Sequence, residues 1–450
     1  MNKIQVSLEK LRKYNQPSPR YTSYPPATHF EERLFQPFQC IEKAPLSLYF
    51  HLPFCKTQCL YCGCTNIVTC NQSKSAEYLS YLEKEIELRL PMIAEGSEVV
   101  QVQLGGGTPT FFQPSEIEQL GELIRANFPM AGTVEAGAEI DPRSLNLEKV
   151  QALKHAGFNR ASLGVQDTDA LVQKTIARIQ PLEMIEQSNA WLRDNNVESI
   201  NFDLIYGLPN QTEETFFQTL EDSLKFAPDR FAIYSYAHIP WIKPFQKHFE
   251  EVLPDAELKM RLLQLTIETL TGAGYVYIGM DHFAKPDDAM AQALSNGTLQ
   301  RNFQGYSTHK GVDLHGFGMS SISHAAGTYF QNAKEIKAYY ASLDAGKLPV
   351  IRDYRMTDDD KIRYHAIMHI MCNLYVDYAQ LSEELGLDFA DYFKKDIASL
   401  SDLEEDGLLL REAHGLRVTE LGRLFVRIIA MRFDAYLQTE QRKGRYSQTV

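Results

Sequence analysis

Between residues 55 and 64 the sequence reads CKTQCLYCGC, which places four of the chain's seven cysteines within ten positions. Cys55, Cys59 and Cys62 have the spacing C-x3-C-x2-C, with Tyr61 just before the third. An odd cysteine count concentrated in one loop points to reduced thiols serving a metal rather than to a disulfide framework. Spacing alone leaves three chemistries open. Structural zinc draws two Cys or His pairs from separated segments, and no second pair of suitable spacing follows. A closed four-cysteine iron–sulfur cluster is the second, although the common ferredoxin run C-x2-C-x2-C-x3-C-P is not the one present. The third is an open cluster, in which three thiolates hold three irons and the fourth iron is left for an outside ligand. Cys40, Cys70 and Cys372 stand alone and read as packing residues.

A second chemical signal is LGGGTPT, Leu104 to Thr110. Glycines at a strand end let backbone carbonyls and amides approach a ligand closely. The elements that must position both loops alternate in type. LSLYFHLPF ends at the cysteines and VVQVQLGGGTP at the glycines; VEAGAEIDP, RASLGVQD, SINFDLIYGLP and RFAIYSYAHIP follow. Each is strand-like and most close on Gly, Pro or a polar residue. Helical patterns such as KSAEYLSYLEKEIELRL and PSEIEQLGELIRANF lie between them. Alternation of this kind predicts an α/β fold with a parallel sheet. Six units fit a curved, partial (β/α)6 barrel better than a flat doubly wound sheet. The chemical residues cluster at the carboxyl ends of the strands, where such folds gather ligands.

Residues 1–45 form a proline-broken N-terminal tail or arm that includes PSPRYTSYPPA. Residues 46–335 form the catalytic domain, its core barrel at about 46–240, and 336–450 a mostly helical C-terminal domain. In that last part DGLLLREAHGLRVTELGRLFVRIIAMRFDAYL reads as two short strands, a turn at Gly415 and a terminal helix capped near Thr419, a winged-helix-like pattern. From Thr357 to Val450 there are 17 Asp and Glu against 12 Lys and Arg, so a DNA role is not expected and a cover over the barrel is. The whole chain of 450 residues has a net charge of −13, which argues against nucleic-acid binding, since that affinity is mostly phosphate neutralisation by Lys and Arg. Hydrophobic residues at 44% and charged ones at 23% suffice for a sizeable core. No apolar run is long enough to span a membrane, and the first residues lack a secretory signal, so a cytoplasmic protein is expected.

The cysteine loop resembles the C-x3-C-x-aromatic-C signature of the radical S-adenosylmethionine (SAM) superfamily. That resemblance implies a [4Fe-4S] cluster on Cys55, Cys59 and Cys62 with one open iron. SAM would bind that iron, and one electron would split it to a 5′-deoxyadenosyl radical. Cys64 then stands near the cluster without holding iron. The Gly-rich segment would contact the amino end of SAM.

The resemblance narrows further. PRYTSYP, HLPFCKTQCLYCGC, GGGTPT, EIDPR, LGVQD, FDLIYGLP, YAHIP, GMDHFAKPDD and RNFQGYST are similar to segments of the oxygen-independent coproporphyrinogen III oxidase, or dehydrogenase, family of haem synthesis, across essentially the whole chain. It implies conversion of coproporphyrinogen III to protoporphyrinogen IX by oxidative decarboxylation of two propionates to vinyl groups. Two SAM molecules beside one cluster, a monomer and a flavodoxin-type electron donor are implied as well. Carried over by position, Tyr49, Gly106, Glu139 and Ile322 line the first SAM. Gly107, Thr108, Gln166, Arg178, Asp203 and Ala237 line the second, with Tyr61 near the adenines. Four buried substrate carboxylates require basic partners, for which Arg20, Arg301 and Gln304 are candidates. Leu104 stands where the family usually has an aromatic, and Ala177 where it has Asn. Three rival readings carry less. A haem-binding chaperone of the same barrel lacks the Cys64 equivalent and the PRYTSYP tail; GMDHFA and RNFQGY argue against a haem methyltransferase; the acidic C-terminal domain argues against a DNA-binding regulator.

Overall fold

The computed structural model describes residues 6–439 and 446–449. Strand β1 (Leu46–Leu52) is buried at six of its seven positions, the mark of a parallel strand covered on both faces. It is followed in the sheet by β2 (Val99–Gly106), β3 (Met130–Ile140), β4 (Arg160–Gln166), β5 (Ser199–Tyr206) and β6 (Arg230–Ser235), all pairing in parallel. Their spatial order is their chain order. A doubly wound sheet would reverse direction at a switch point, so the arc is the six-stranded partial barrel. Helices α1 (Ser73–Arg89), α2 (Pro114–Asn127), α3 (Leu147–His155), α4 (Leu182–Asp194), α5 (Glu213–Leu224) and α6 (Ala256–Gly272) follow β1 to β6 in turn.

Local chemistry explains where these helices begin and which face they bury. Pro114 opens α2 behind a reciprocal Gln113–Glu116 cap, and Ile117, Leu120 and Ile124 turn to the sheet. Thr212 caps α5 by accepting from Thr215 N. On α1 the ion pair Glu85–Arg89 is fully buried. Glu85 also accepts from Gly318 N, Asn332 Nδ2 and Tyr339 Oη, each at 2.7 Å, so the charge is satisfied on every side.

The sheet reaches 13 strands because both edges of the barrel are extended. Beside β1 lie Asp313–Phe317, in parallel, and then the antiparallel strands Ile322–Ala325, Thr328–Asn332 and Val350–Arg355. Beside β6 lie His282–Ala284 and Val276–Gly279. The strand Val350–Arg355 falls in the stretch from 336 that was expected to be helical; it pairs with Thr328–Asn332 on one side and on the other with Glu31–Glu32, which completes the 13 strands.

The C-terminal helices enclose a three-stranded sheet of Tyr375–Asp377, Leu409–Glu412 and Gly415–Val418. Three details correct the expected wing. Gly415 is already in a strand, paired with Glu412 and Asp377. A third strand, Tyr375–Asp377, completes the sheet. The helix capped by Thr419 also breaks at Phe425, where the backbone leaves helical angles (φ −117°, ψ 23°). The domain meets the catalytic domain through Arg423, which donates to the Tyr277 carbonyl, and through Tyr306 Oη, which donates to Met371 O at 3.0 Å. The N-terminal arm clamps it from outside: Tyr21 Oη donates to Asp434 at 2.9 Å, and Arg427 donates to Ser18 O at 3.1 Å. No helix among the described residues is long and apolar enough to cross a membrane.

Candidate active site

The cysteine loop leaves β1 and returns on itself: Phe54 and Cys55 pair with Ile67 and Val68, and Thr69 N donates to Cys55 O at 2.9 Å. It rests on the glycine run that ends β2. Gly107 N donates to Leu52 O and Thr108 N to Phe54 O, both at 2.9 Å. A Cβ on Gly107 would lie 2.5 Å from the Pro53 carbonyl group, so only glycine fits. Gly106 adopts φ 110° with the His51 ring where a side chain would be. The glycines therefore seat the cysteine loop itself, a use that comes before any ligand contact.

Every thiol of the motif receives hydrogen bonds or charge. Cys55 Sγ meets Thr108 Oγ1 at 3.3 Å and Asn66 Nδ2 at 3.6 Å. Cys59 Sγ accepts from Arg143 Nη2 at 3.1 Å and Arg178 Nη1 at 3.4 Å. Asp141 holds both guanidiniums, at 2.7 and 3.3 Å. Cys62 Sγ accepts from Cys64 N at 3.4 Å. The hydrogen bond from the Cys64 thiol, aided by Lys243 and Arg178, lowers Cys62 to about 6 against the effect of burial. All seven cysteines are free. Donors aimed at sulfur and positive charge beside it are what thiolates of a cluster need. Among the described residues no group of three or more His, Cys, Asp or Glu side chains is closed around the position of a single ion.

A cavity of about 640 Å³ runs from this loop into the barrel. Cys55, Cys59 and Cys62 line it together with Tyr61, Gly106, Gly107, Thr108, Glu139, Gln166, Arg178 and Asp203. Tyr49, Ala237 and Ile322 do not. Tyr49 lies one strand away, its Oη 3.1 Å from His51 Nδ1. Ala237 is exposed on the loop after β6, and Ile322 packs beside Phe30, Tyr329 and Met356. Arg20 pairs with Asp281. Arg301 is buried, donates to Arg20 O at 3.1 Å and keeps Nη1 without a partner among the described residues. Gln304 lines the cavity, and its Nε2 is likewise unpartnered.

Two carboxylates meet in the cavity. Glu139, at the end of β3, accepts from Gly106 N at 3.2 Å; burial and the charge of Asp203 raise it to about 7. Asp203 on β5 accepts from Ser162 Oγ at 2.7 Å and Asn201 Nδ2 at 2.8 Å, yet burial still raises it to about 6. The charge of Arg178 offsets the burial of Asp203 only in part, and among the described residues no cation lowers Glu139. An ammonium or sulfonium group entering between them would supply one.

Reading from strand ends missed the barrel floor. Gln101, Gln103, Glu135, Arg160, Ser199, Asn201, Arg230 and His282 also line the cavity. Burial works to raise Glu135, but a hydrogen bond to His309 and the charges of Arg160 and Arg230 prevail and hold it down to about 2. The missed signal was period-two polarity: Glu135, Gly137 and Glu139, or Asn201 and Asp203, alternate with buried apolar neighbours.

Comparisons with known proteins agree with this geometry. Residues 49–223 match the radical SAM superfamily and residues 356–425 the HemN C-terminal domain. The chain is thus a radical SAM protein in both its cysteine loop and its barrel. Oxygen-independent coproporphyrinogen III oxidase from Synechocystis sp. is 43% identical over 99% of this chain and 98% of its own. The protein of that description from Escherichia coli K12 is 42% identical, with each chain covered in full. A solved structure of coproporphyrinogen III oxidase (HemN) from Escherichia coli superposes with a TM-score of 0.91 at 42% identity, covering 97% of this chain and 100% of that one. The chain belongs to the oxygen-independent coproporphyrinogen III oxidase family. Membership implies a [4Fe-4S] cluster and SAM as cofactors. The residues fit both, with three thiols bearing sulfur-directed donors on one wall and two incompletely compensated carboxylates opposite a glycine-lined strand end.

Proposed function

We propose that this enzyme oxidatively decarboxylates two propionate side chains of coproporphyrinogen III to vinyl groups, giving protoporphyrinogen IX without oxygen. The observation that carries the reading is the shared cavity: the three cysteine thiols and the Glu139–Asp203 pair open onto one space. Cys55, Cys59 and Cys62 would hold the cluster, which with SAM supplies the 5′-deoxyadenosyl radical that removes a hydrogen atom from each propionate β-carbon. Each decarboxylation releases carbon dioxide and leaves one further electron for an acceptor.

The chain's own groups serve binding and orientation. Arg143 and Arg178 offset the negative charge at Cys59. Glu139 and Asp203 give up their protons as a cationic ligand enters, and Ser162 and Asn201 fix the orientation of Asp203. Arg301 and Gln304, with spare N–H groups, are suited to receive substrate carboxylates. Gly106, Tyr49 and Ile322 are assigned to one SAM. Gly107, Thr108, Gln166, Arg178, Asp203 and Ala237 are assigned to a second, with Tyr61 near the adenines. The enzyme is taken to act as a cytoplasmic monomer supplied by a flavodoxin-type donor. The test is an anaerobic assay of the reconstituted protein with reductant, SAM and coproporphyrinogen III. The product should have lost two carbon dioxide molecules and four hydrogens and should appear with 5′-deoxyadenosine. Methylated product, or haem bound without vinyl formation, would refute the assignment.

A further inference from the structure

The chain has a net charge of −13, yet the three segments that form and brace the cysteine loop contain no acidic residue. Residues 56–70, 170–180 and 238–249 carry Lys56, Lys174, Arg178, Lys243 and Lys247 and no Asp or Glu. They are joined into one surface. Leu60 N donates to Ile176 O at 2.9 Å, Lys243 Nζ to Cys64 O at 2.8 Å and Gln246 Nε2 to Tyr61 O at 3.1 Å. Arg178 is turned inward onto Cys59, while Lys56, Lys174 and Lys247 are exposed.

The same segments hold Val68, Leu171, Ile179, Trp241 and Ile242, five of the fifteen large hydrophobic side chains exposed on the described residues. Trp241 and Ile242 are 66% and 62% exposed, so neither serves the core. None of the five lines the cavity, and neither do Lys174, Lys243 and Lys247. Lys56 borders the cavity, but the other lysines and all five apolar side chains lie outside it, with the exposed Glu250 and Glu251 just beyond the last segment, so this surface is not part of the substrate cavity. It has the composition of a transient protein interface.

We propose that this rim is the docking surface for an acidic one-electron carrier protein, which reduces the cluster through the loop that the rim encloses. The inference rests on the proposed reading that Cys55, Cys59 and Cys62 hold that cluster. The carrier is oxidised by one electron and the cluster is reduced by one; no atom is transferred. Local positive charge on an otherwise negative protein steers an acidic carrier to this face and away from the rest. Trp241 and Ile242 supply the desolvated centre of the contact. Through Lys243 and Gln246 that centre is bonded directly to the backbone of the cysteine loop.

The test uses reconstituted holoenzyme under anaerobic stopped flow, with flavodoxin hydroquinone as the carrier and dithionite as a small reductant that needs no docking. One variant is Trp241→Ser with Ile242→Ser; the other is Lys174→Glu with Lys247→Glu. Each should slow reduction by subsaturating flavodoxin at least tenfold while leaving dithionite reduction and the KM for coproporphyrinogen III unchanged. The wild-type flavodoxin rate should also fall as salt rises. A flavodoxin rate within twofold of wild type in both variants would overturn the proposal. So would equal losses with both reductants, or a raised substrate KM with the flavodoxin rate intact, which would make the patch a lid. A wild-type protein that dithionite cannot reduce would instead sink the cluster reading itself.

Discussion

Replacing Asp203 with Asn separates what this carboxylate costs the fold from what it contributes to ligand binding. Burial raises Asp203 from 3.8 to about 6. Two pH units correspond to about 3 kcal/mol at 1.36 kcal/mol per unit, which partial solvent access reduces to an expected ~1–2 kcal/mol. The sign follows from proton uptake. A carboxylate whose pKa is raised by folding binds more protons in the native state, so stability falls as pH climbs from the unfolded value toward the folded one. Asp203→Asn should therefore match the wild type below about pH 4, gain stability through the interval, and be more stable by the full amount above about pH 6. The amide oxygen can still accept from Asn201 Nδ2, while the amide NH2 donates to Ser162 Oγ in place of accepting from it. The gain should be larger where Glu139 also ionises, because Asp203 is one of the causes that raise it to about 7. The assay is urea unfolding of the cofactor-free protein at pH 4.5, 6 and 8, paired with calorimetric titration of SAM into the reconstituted enzyme at pH 8. SAM affinity should fall tenfold or more, as loss of a charge-assisted bond worth about 1.5–3 kcal/mol requires. A variant whose stability advantage over wild type is no larger at pH 8 than at pH 4.5, or that binds SAM as tightly as wild type, would refute the reasoning.

Three further outcomes follow from the geometry. Gly107→Ala forces a Cβ to 2.5 Å from the Pro53 carbonyl group; the cysteine loop should shift, and iron content after reconstitution should fall while far-UV circular dichroism is unchanged. Ala177 sits in the left-handed region at φ 55°, so Ala177→Gly should raise stability by about 0.5–1 kcal/mol in denaturant unfolding. Arg178→Met strips Asp141 of one of its two guanidiniums and leaves the Gly164 carbonyl with the Gln180 amide alone. The cost should be about 2–4 kcal/mol by the same measurement, with loss of SAM binding.

The barrel was legible because its strands are buried on both faces and end in Gly, Pro or polar residues. β1, with six of its seven positions buried, could hardly be read otherwise. The strand Val350–Arg355 was not legible, because a strand of mixed exposure, met on its outer side only by the two-residue strand Glu31–Glu32, shows no clean period and lies between two helical patterns. Gly415 was mistaken for a turn because glycine marks turns. Here it also answers to crowding, since a Cβ would stand 2.5 Å from the Val376 carbonyl oxygen. In the site, residues at strand ends were found because ligands gather there. Arg160, Arg230 and Glu135 were missed because they open or lie within their strands, and only the closed arc brings their side chains into one cavity. Tyr49 lies on β1 and Ile322 on the second strand beyond it, both outside the cavity lining, a separation that no spacing along the chain reveals.

The most direct test of the account counts iron in two variants. Cys64→Ala should assemble four irons per chain under anaerobic reconstitution, and its reduced cluster should change its electron paramagnetic resonance signal when SAM is added. Cys62→Ala should do neither. Loss of iron from Cys64→Ala, or an intact signal that SAM leaves unchanged in the wild type, would contradict the claim that three thiols hold the cluster and leave one iron for SAM.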